Sequence, residues 1–358
     1  MDSTFIIAEA GVNHDGNLDR ALALVDAASD AGADAVKFQT FVADQLVTKT
    51  APKARYQERL TTSSETHFDM IKRLELGPDD HQRISAHCQA RGIAFMSTPF
   101  DPASLQYLVE NFEMPMLKIS SGDLTNPIML MAAARSGLPI VLSTGMADLD
   151  DVKSALGVLA YGLQGSPTMP ENRKAFTAAY SAVDARATLK TKVTLLHCTT
   201  EYPAPVGDVN LRAMETMRET FDVPVGYSDH TIGTDVAIAA AALGAAVVEK
   251  HFTLDRALPG PDHAASLEPG ELKSMVSGIQ VVDQALGSVE KSVSKSEAKN
   301  LSVARKSLVA ALPIRAGDPF TEQNLTIKRP GNGVSPMEYF DRLGSTADRD
   351  YQAEDLIH

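Results

Sequence analysis

One alternation recurs eight times along the chain: a short apolar run, then a longer amphipathic stretch. The runs are Phe5–Glu9, Ala35–Gln39, Ile93–Ser97, Met116–Ile119, Pro139–Ser143, Val193–His197, Val225–Ser228 and Ala246–Lys250. Nearly unbroken apolar runs of this length predict strands buried on both faces. The stretches between them predict helices; in the first, Leu18, Leu22, Leu24, Val25 and Ala28 fall near one helical face. Strands that alternate with helices imply a parallel sheet covered by helices, an α/β fold. Eight such units favour closure into a (β/α)8 TIM barrel over an open doubly wound sheet.

Two stretches interrupt the rhythm. Residues 41–66 are polar and carry Lys49, Lys53, Arg55 and Arg59, as expected of a functional loop on a barrel. Residues 165–192 hold a short helical pattern, Arg173–Ala185, and read as an insertion before the sixth strand. The barrel pattern ends near Leu286, so the barrel domain is placed at 1–287. A serine- and lysine-rich linker follows at 288–301. Residues 302–358 then show short strands and turns, enough for a small β-rich module whose core is marginal alone.

Composition narrows the function. Of 358 residues 44% are hydrophobic, and the formal net charge is −13. An acidic surface of that size argues against a nucleic-acid partner, which needs a basic face. It leaves room for an anionic small substrate held by a few lysines. Cys88 and Cys198 cannot build a disulfide framework, and neither a signal peptide nor a run of about 20 apolar residues is evident. The expectation is a cytoplasmic protein with no membrane partner.

In a barrel, the C-terminal ends of the strands build the active site. Here those ends carry Glu9, Asn13 and His14; Lys37 and Gln39; Ser97 and Thr98; Lys118, Ser121 and Asp123; Ser143; Thr200 and Tyr202; Ser228, Asp229 and His230; Glu249 and His251. Polar and ionisable residues at the end of every strand point to an enzyme. Lys37 and Lys118 interrupt apolar runs, and burying an unpaired ammonium is costly, so the pair predicts a phosphate or carboxylate pocket. A Schiff-base lysine is the competing role. His230 and His251 follow neighbouring strands, and converging neutral imidazoles suit a divalent metal; each alone is equally explained by a local hydrogen bond. Alternation puts Lys250 on the opposite face from Glu249 and His251. Glu9, Asp123, Asp229 and Asp262 are the carboxylates available for proton transfer or for orienting ligands.

The motifs FIIAEAGVNHDG, GADAVKFQT, STPFD, KISSGD, LSTGM, HCTTEYPAP, GYSDHTIG, EKHFTLD, GPDHAASLEPGEL and KRPGNGVSP occur in this order. Over nearly the whole chain they resemble the sialic-acid (N-acetylneuraminate) synthase family, whose close relatives are legionaminate and pseudaminate synthases. The resemblance implies a (β/α)8 barrel followed by an antifreeze-like (SAF) domain at 302–358, in a domain-swapped homodimer. It implies an aldol-type condensation of phosphoenolpyruvate with an N-acetylated hexosamine, releasing phosphate by C–O cleavage. N-Acetylmannosamine, giving N-acetylneuraminate, is the first expectation. A 2,4-diacetamido-2,4,6-trideoxyhexose, giving N,N'-diacetyllegionaminate, is the alternative.

Residue roles follow from the same resemblance. His230 and His251 correspond to ligands of a divalent metal, Mn2+ first, with Mg2+ or Co2+ as substitutes. Lys37, Thr98, Lys118, Ser121, Ser143, Thr200, Tyr202 and Ser228 correspond to the phosphoenolpyruvate pocket. Glu9, Gln39 and Asp262 correspond to the sugar side, and Glu9, Asp123 and Asp262 are the candidate catalytic carboxylates. Arg329 resembles an arginine placed over the partner subunit's site. The sequence departs from common family forms at Asp123, where glutamate is usual, at Thr200, where some members have asparagine, and in the insertion at 165–192.

Overall fold

The computed structural model of the chain describes residues 3–54, 65–165 and 168–358. Arg55 and Arg59, named above in the polar loop at 41–66, lie outside them. The chain divides into two units, Met1–Gly287 and Ser288–His358.

In the first unit the eight expected strands form, with ends shifted by a residue or two. They are β1 Phe5–Gly11, β2 Ala35–Thr40, β3 Ala94–Pro99, β4 Leu117–Ile119, β5 Ile140–Ser143, β6 Val193–His197, β7 Val225–Asp229 and β8 Val247–His251. All pair in parallel, in the order β3-β2-β1-β8-β7-β6-β5-β4, and β3 packs beside β4 to complete the ring. Alternation sorts the side chains. Ile7, Ala35, Met96, Val141, Leu196 and Val247 fill the barrel interior as one cluster. Their neighbours Ile6, Ala8, Val36, Phe38, Leu142 and Val248 point outward into the larger core beneath the helices.

Local signals set the helices. Leu18–Ala31 starts at Asn17, whose side chain accepts from Arg20 N, and ends at Gly32 with φ 82°, a conformation glycine adopts without steric cost. It buries Ala21, Leu24, Val25, Ala28 and Ala31, so the core face is the one read from the sequence. Asp101 and Asn126 cap the helices Pro102–Asn111 and Pro127–Arg135 in the same way. The segment expected as one helical pattern at 173–185 forms two helices instead, Lys174–Ser181 and Val183–Lys192, parted by extended Ala182. Both pack on the barrel helix Leu149–Leu163.

The second unit contains an antiparallel pair, β9 Ser307–Ala310 and β10 Leu325–Lys328. Isolated bridges such as Ile314 with Tyr351 add to it. Its own core gathers Leu308, Ile314, Phe320, Leu325, Tyr351 and Ile357. Short helices at Lys295–Ala298 and Leu301–Ala304 occupy the stretch read as a linker and the residues just beyond it.

Candidate active site

Two residues beyond each inner apolar position, the barrel interior turns polar. Glu9, Lys37, Thr98, Lys118, Ser143, Ser228 and Glu249 stand there, each buried. They line one cavity of about 590 Å³, together with Gln39, Ser121, Asp123, Thr200, Tyr202, His230, His251 and Asp262. Thus the structure brings together every barrel residue to which the family resemblance gives a role, while Asn13, His14, Ser97 and Asp229 stand outside the cavity lining. Arg329 lies in the second unit, where its Nε donates to Ala304 O at 3.0 Å.

At the floor two ammonium groups face two carboxylates. Lys37 pairs with Glu9 and lies 3.5 Å from Glu249, and its Nζ donates to Thr98 Oγ1 at 2.9 Å. Lys118 lies 3.2 Å from the other oxygen of Glu249, which also accepts from Ser228 Oγ at 2.8 Å. The environments drive the two glutamates apart. Flanking lysines and the Ser228 hydroxyl outweigh burial at Glu249 and hold its carboxyl far below the usual range. At Glu9 burial dominates, and the adjacent negative charge of Glu249 adds to it, so its carboxyl is pushed up to about 7. Titratable pairs split in this way are how a site separates acid–base work from charge balance.

Above the floor the two histidines converge. Their ring centroids are 5.6 Å apart, and Tyr202 packs against both. His230 Nδ1 donates to Thr199 O at 2.6 Å, which leaves Nε2 of the neutral ring as a lone-pair donor. His251 Nδ1 is buried without a hydrogen-bond partner among the described residues and lies 4.0 Å from Asp262 Oδ2. Burial keeps both rings neutral by lowering their pKa values, with His230 and Lys37 adding to the effect on His251. Neutral imidazoles are the form that binds a cation, and an orphaned buried nitrogen is the kind of atom a bound ion completes. The donor set therefore fits a divalent metal with positions left for water or substrate oxygens. No group of three or more His, Cys, Asp or Glu side chains among the described residues is arranged to hold a metal.

The remaining carboxylates differ. Asp262 is buried, and burial pushes its carboxyl up to about 6. Asp123 follows β4 on the turn Ser121–Asp123; its oxygens accept from Ser120 Oγ and Asn126 Nδ2, both at 3.0 Å, and burial raises its pKa. Asp229 does not face the cavity. It pairs with Lys250 at 2.8 Å in the outer wall, both side chains fully buried, as strand alternation requires for Lys250. Asn13 is structural too, donating to Phe252 O and Ser266 Oγ. Two glycines let the mouth close up. Gly11, at φ +53°, sits where a Cβ would crowd Glu9 and Gln39, and a Cβ on Gly145 would collide with Thr200 Oγ1 and Ser121 Oγ. Glu249, a strand-end residue to which the family resemblance gives no role, stands on the inner face with His251 by alternation and joins the floor of the cavity.

Comparison with known proteins meets this geometry. The model of the NeuB family matches residues 24–291, and that of the SAF domain matches 305–358. The chain belongs to the NeuB family. It is an enzyme, a phosphoenolpyruvate-dependent synthase of nonulosonic acids. Among relatives of the NeuB chain, an N,N'-diacetyllegionaminic acid synthase from Campylobacter jejuni is 44% identical over 100% of this chain and 99% of its own. A second protein of that name, from Legionella pneumophila, is 43% identical over 95% of this chain and 89% of its own. The crystal structure of an N-acetylneuraminic acid (sialic acid) synthetase from Leptospira borgpetersenii superposes with a TM-score of 0.66 at 33% identity, covering 84% of this chain and 90% of that one. Among the described residues no helix is long and apolar enough to cross a membrane.

Proposed function

We propose that this enzyme is an N,N'-diacetyllegionaminic acid synthase, which condenses phosphoenolpyruvate with a 2,4-diacetamido-2,4,6-trideoxyhexose and releases phosphate. The observation that carries the choice of sugar is the full-length similarity, at 44% identity, to a synthase of that name. The sialic acid synthetase structure stands at 33%. The alternative expectation thus replaces N-acetylmannosamine as the first one.

The floor suits the anionic substrate. Lys37 and Lys118 face its phosphate and carboxylate, with hydroxyls of Thr98, Ser121, Ser143 and Thr200 around them. C3 of the enol attacks the sugar aldehyde, forming the new carbon–carbon bond while the aldehyde oxygen takes up a proton. Water then adds at C2, the C2–O bond to phosphate breaks with the electron pair leaving on phosphate, and the added hydroxyl loses its proton to become the keto group. Glu9, which keeps its proton up to about pH 7, is poised to exchange one with the aldehyde oxygen, while ionised Glu249 balances the lysines. A divalent cation, Mn2+ first, held by His230 and His251, supplies Lewis acidity toward the aldehyde. By the family resemblance, Arg329 of a second copy completes the sugar side in a homodimer.

Phosphate release by purified protein with Mn2+ and phosphoenolpyruvate tests the reading. The diacetamido sugar should give a higher kcat/KM than N-acetylmannosamine, and chelator should abolish turnover. A preference for N-acetylmannosamine would overturn the choice of sugar. Chelator-resistant turnover, lost on borohydride treatment with pyruvate, would instead favour a Schiff-base lysine.

A further inference from the structure

The cavity has two halves of opposite character. Below and around the histidines it is polar. On the side supplied by the excursion after β2 and by the turn after β3, the described residues are mainly apolar: Leu46, Val47, Ile71 and Phe100 line it half-buried. Phe41, Met70 and Leu74 back this wall, and together with Val12 they form a hydrophobic cluster distinct from both barrel cores. Phe41 and Phe100 meet edge to face, with ring centroids 6.2 Å apart. Helix His67–Arg73, capped by Thr66, holds Met70 and Ile71 in place.

An apolar wall in a sugar site is informative, because a sugar hydroxyl pressed against it loses its water and gains no partner. A methyl group there gains contact instead. Among the described residues, the polar groups this side adds are Gln45 and His67. His67 Nδ1 is buried and has no hydrogen-bond partner among the described residues. It can meet one amide of a ligand, and it leaves the aliphatic and aromatic surface to face methyls.

We propose that the wall of Leu46, Val47, Ile71 and Phe100 is the specificity determinant for the sugar, selecting a 6-deoxy chain whose terminal methyl packs on it. His67 serves a second acetamido group. The inference rests on the reading of the enzyme as a nonulosonate synthase and adds which atoms of the sugar are read. It predicts that removing a single oxygen matters. 2-Acetamido-2,6-dideoxymannose, which differs from N-acetylmannosamine only at C6, should be used with a kcat/KM about tenfold to a hundredfold higher.

The test is phosphate release by the full-length enzyme with three sugars, the diacetamido trideoxyhexose, the 6-deoxy monoacetamido sugar and N-acetylmannosamine. Leu46→Asn and Ile71→Asn should each reduce the ratio between the last two sugars at least fivefold. His67→Ala should penalise the diacetamido sugar relative to the 6-deoxy monoacetamido one. Equal use of the last two sugars by the unaltered enzyme overturns the wall as a determinant, even if the diacetamido sugar remains the best substrate. No turnover with any of the three overturns the functional reading and this inference with it. The comparison within the unaltered enzyme decides the matter even if a variant fails to fold.

Discussion

Glu9 and Glu249 share Lys37, yet carry opposite burdens, and the split has consequences for pH. Glu9 has a folded-state pKa of about 7 against an ordinary 4.5, so its protonated form is favoured by folding. The associated stability is fully present below pH 4.5 and is lost as pH rises through 7, a term of roughly 3 kcal/mol for a shift of that size. Denaturation of metal-stripped, substrate-free protein between pH 5 and 8 should show this decline, and Glu9→Gln should flatten it. Glu249 sits between two buried ammonium groups. Replacing it by glutamine leaves them under-compensated, a loss on the order of 3–5 kcal/mol. Added inorganic phosphate should restore thermal stability to Glu249→Gln more than to the unaltered enzyme; equal shifts would show that the lysines do not act as the anion site.

At the scale of elements, β7 and β8 each present consecutive residues to opposite faces of the barrel wall. Asp229 and Lys250 join the strands outside, while their chain neighbours His230 and His251 converge inside. Thr231 strengthens the tie, its N and Oγ1 donating to Asp229 Oδ1 at 2.9 and 2.8 Å. Lys250→Met strands a buried carboxylate and should cost about 3–5 kcal/mol, with Asp229→Asn in the same chain recovering part of it. If the ion pair also sets the histidine spacing, calorimetric Mn2+ titration will show weaker binding by Lys250→Met at a temperature where it is fully folded. Unchanged affinity would confine the pair to stability. Alternation made Lys250's face legible from sequence. The same alternation sets Asp229 opposite Ser228 and His230, but that it meets Lys250 was not legible, because register between strands 21 residues apart in the chain depends on how the barrel closes.

For the whole molecule, the proposal that Arg329 of one copy completes another copy's site can be tested directly. Arg329→Ala and His230→Ala should each be nearly inactive, and mixed, refolded hybrids should regain a fraction of the activity. Well-formed hybrids without any rescue would separate Arg329 from the reaction.

The sequence alone determined the eight-strand rhythm, the polar strand ends and the family. Each of these is carried by residues close together in the chain, in alternation or in short motifs. Tertiary structure alone decided three other matters. It set which glutamate keeps its proton, because that depends on burial and on distances to Lys37 and Lys118. It matched Asp229 with Lys250 in the outer wall. It also assembled the apolar wall from Leu46, Ile71 and Phe100, residues far apart in sequence whose periodicity says only that they are buried somewhere. His230 and His251 fall between these cases: their strand ends were readable, while the 5.6 Å between their rings comes from closure of the barrel.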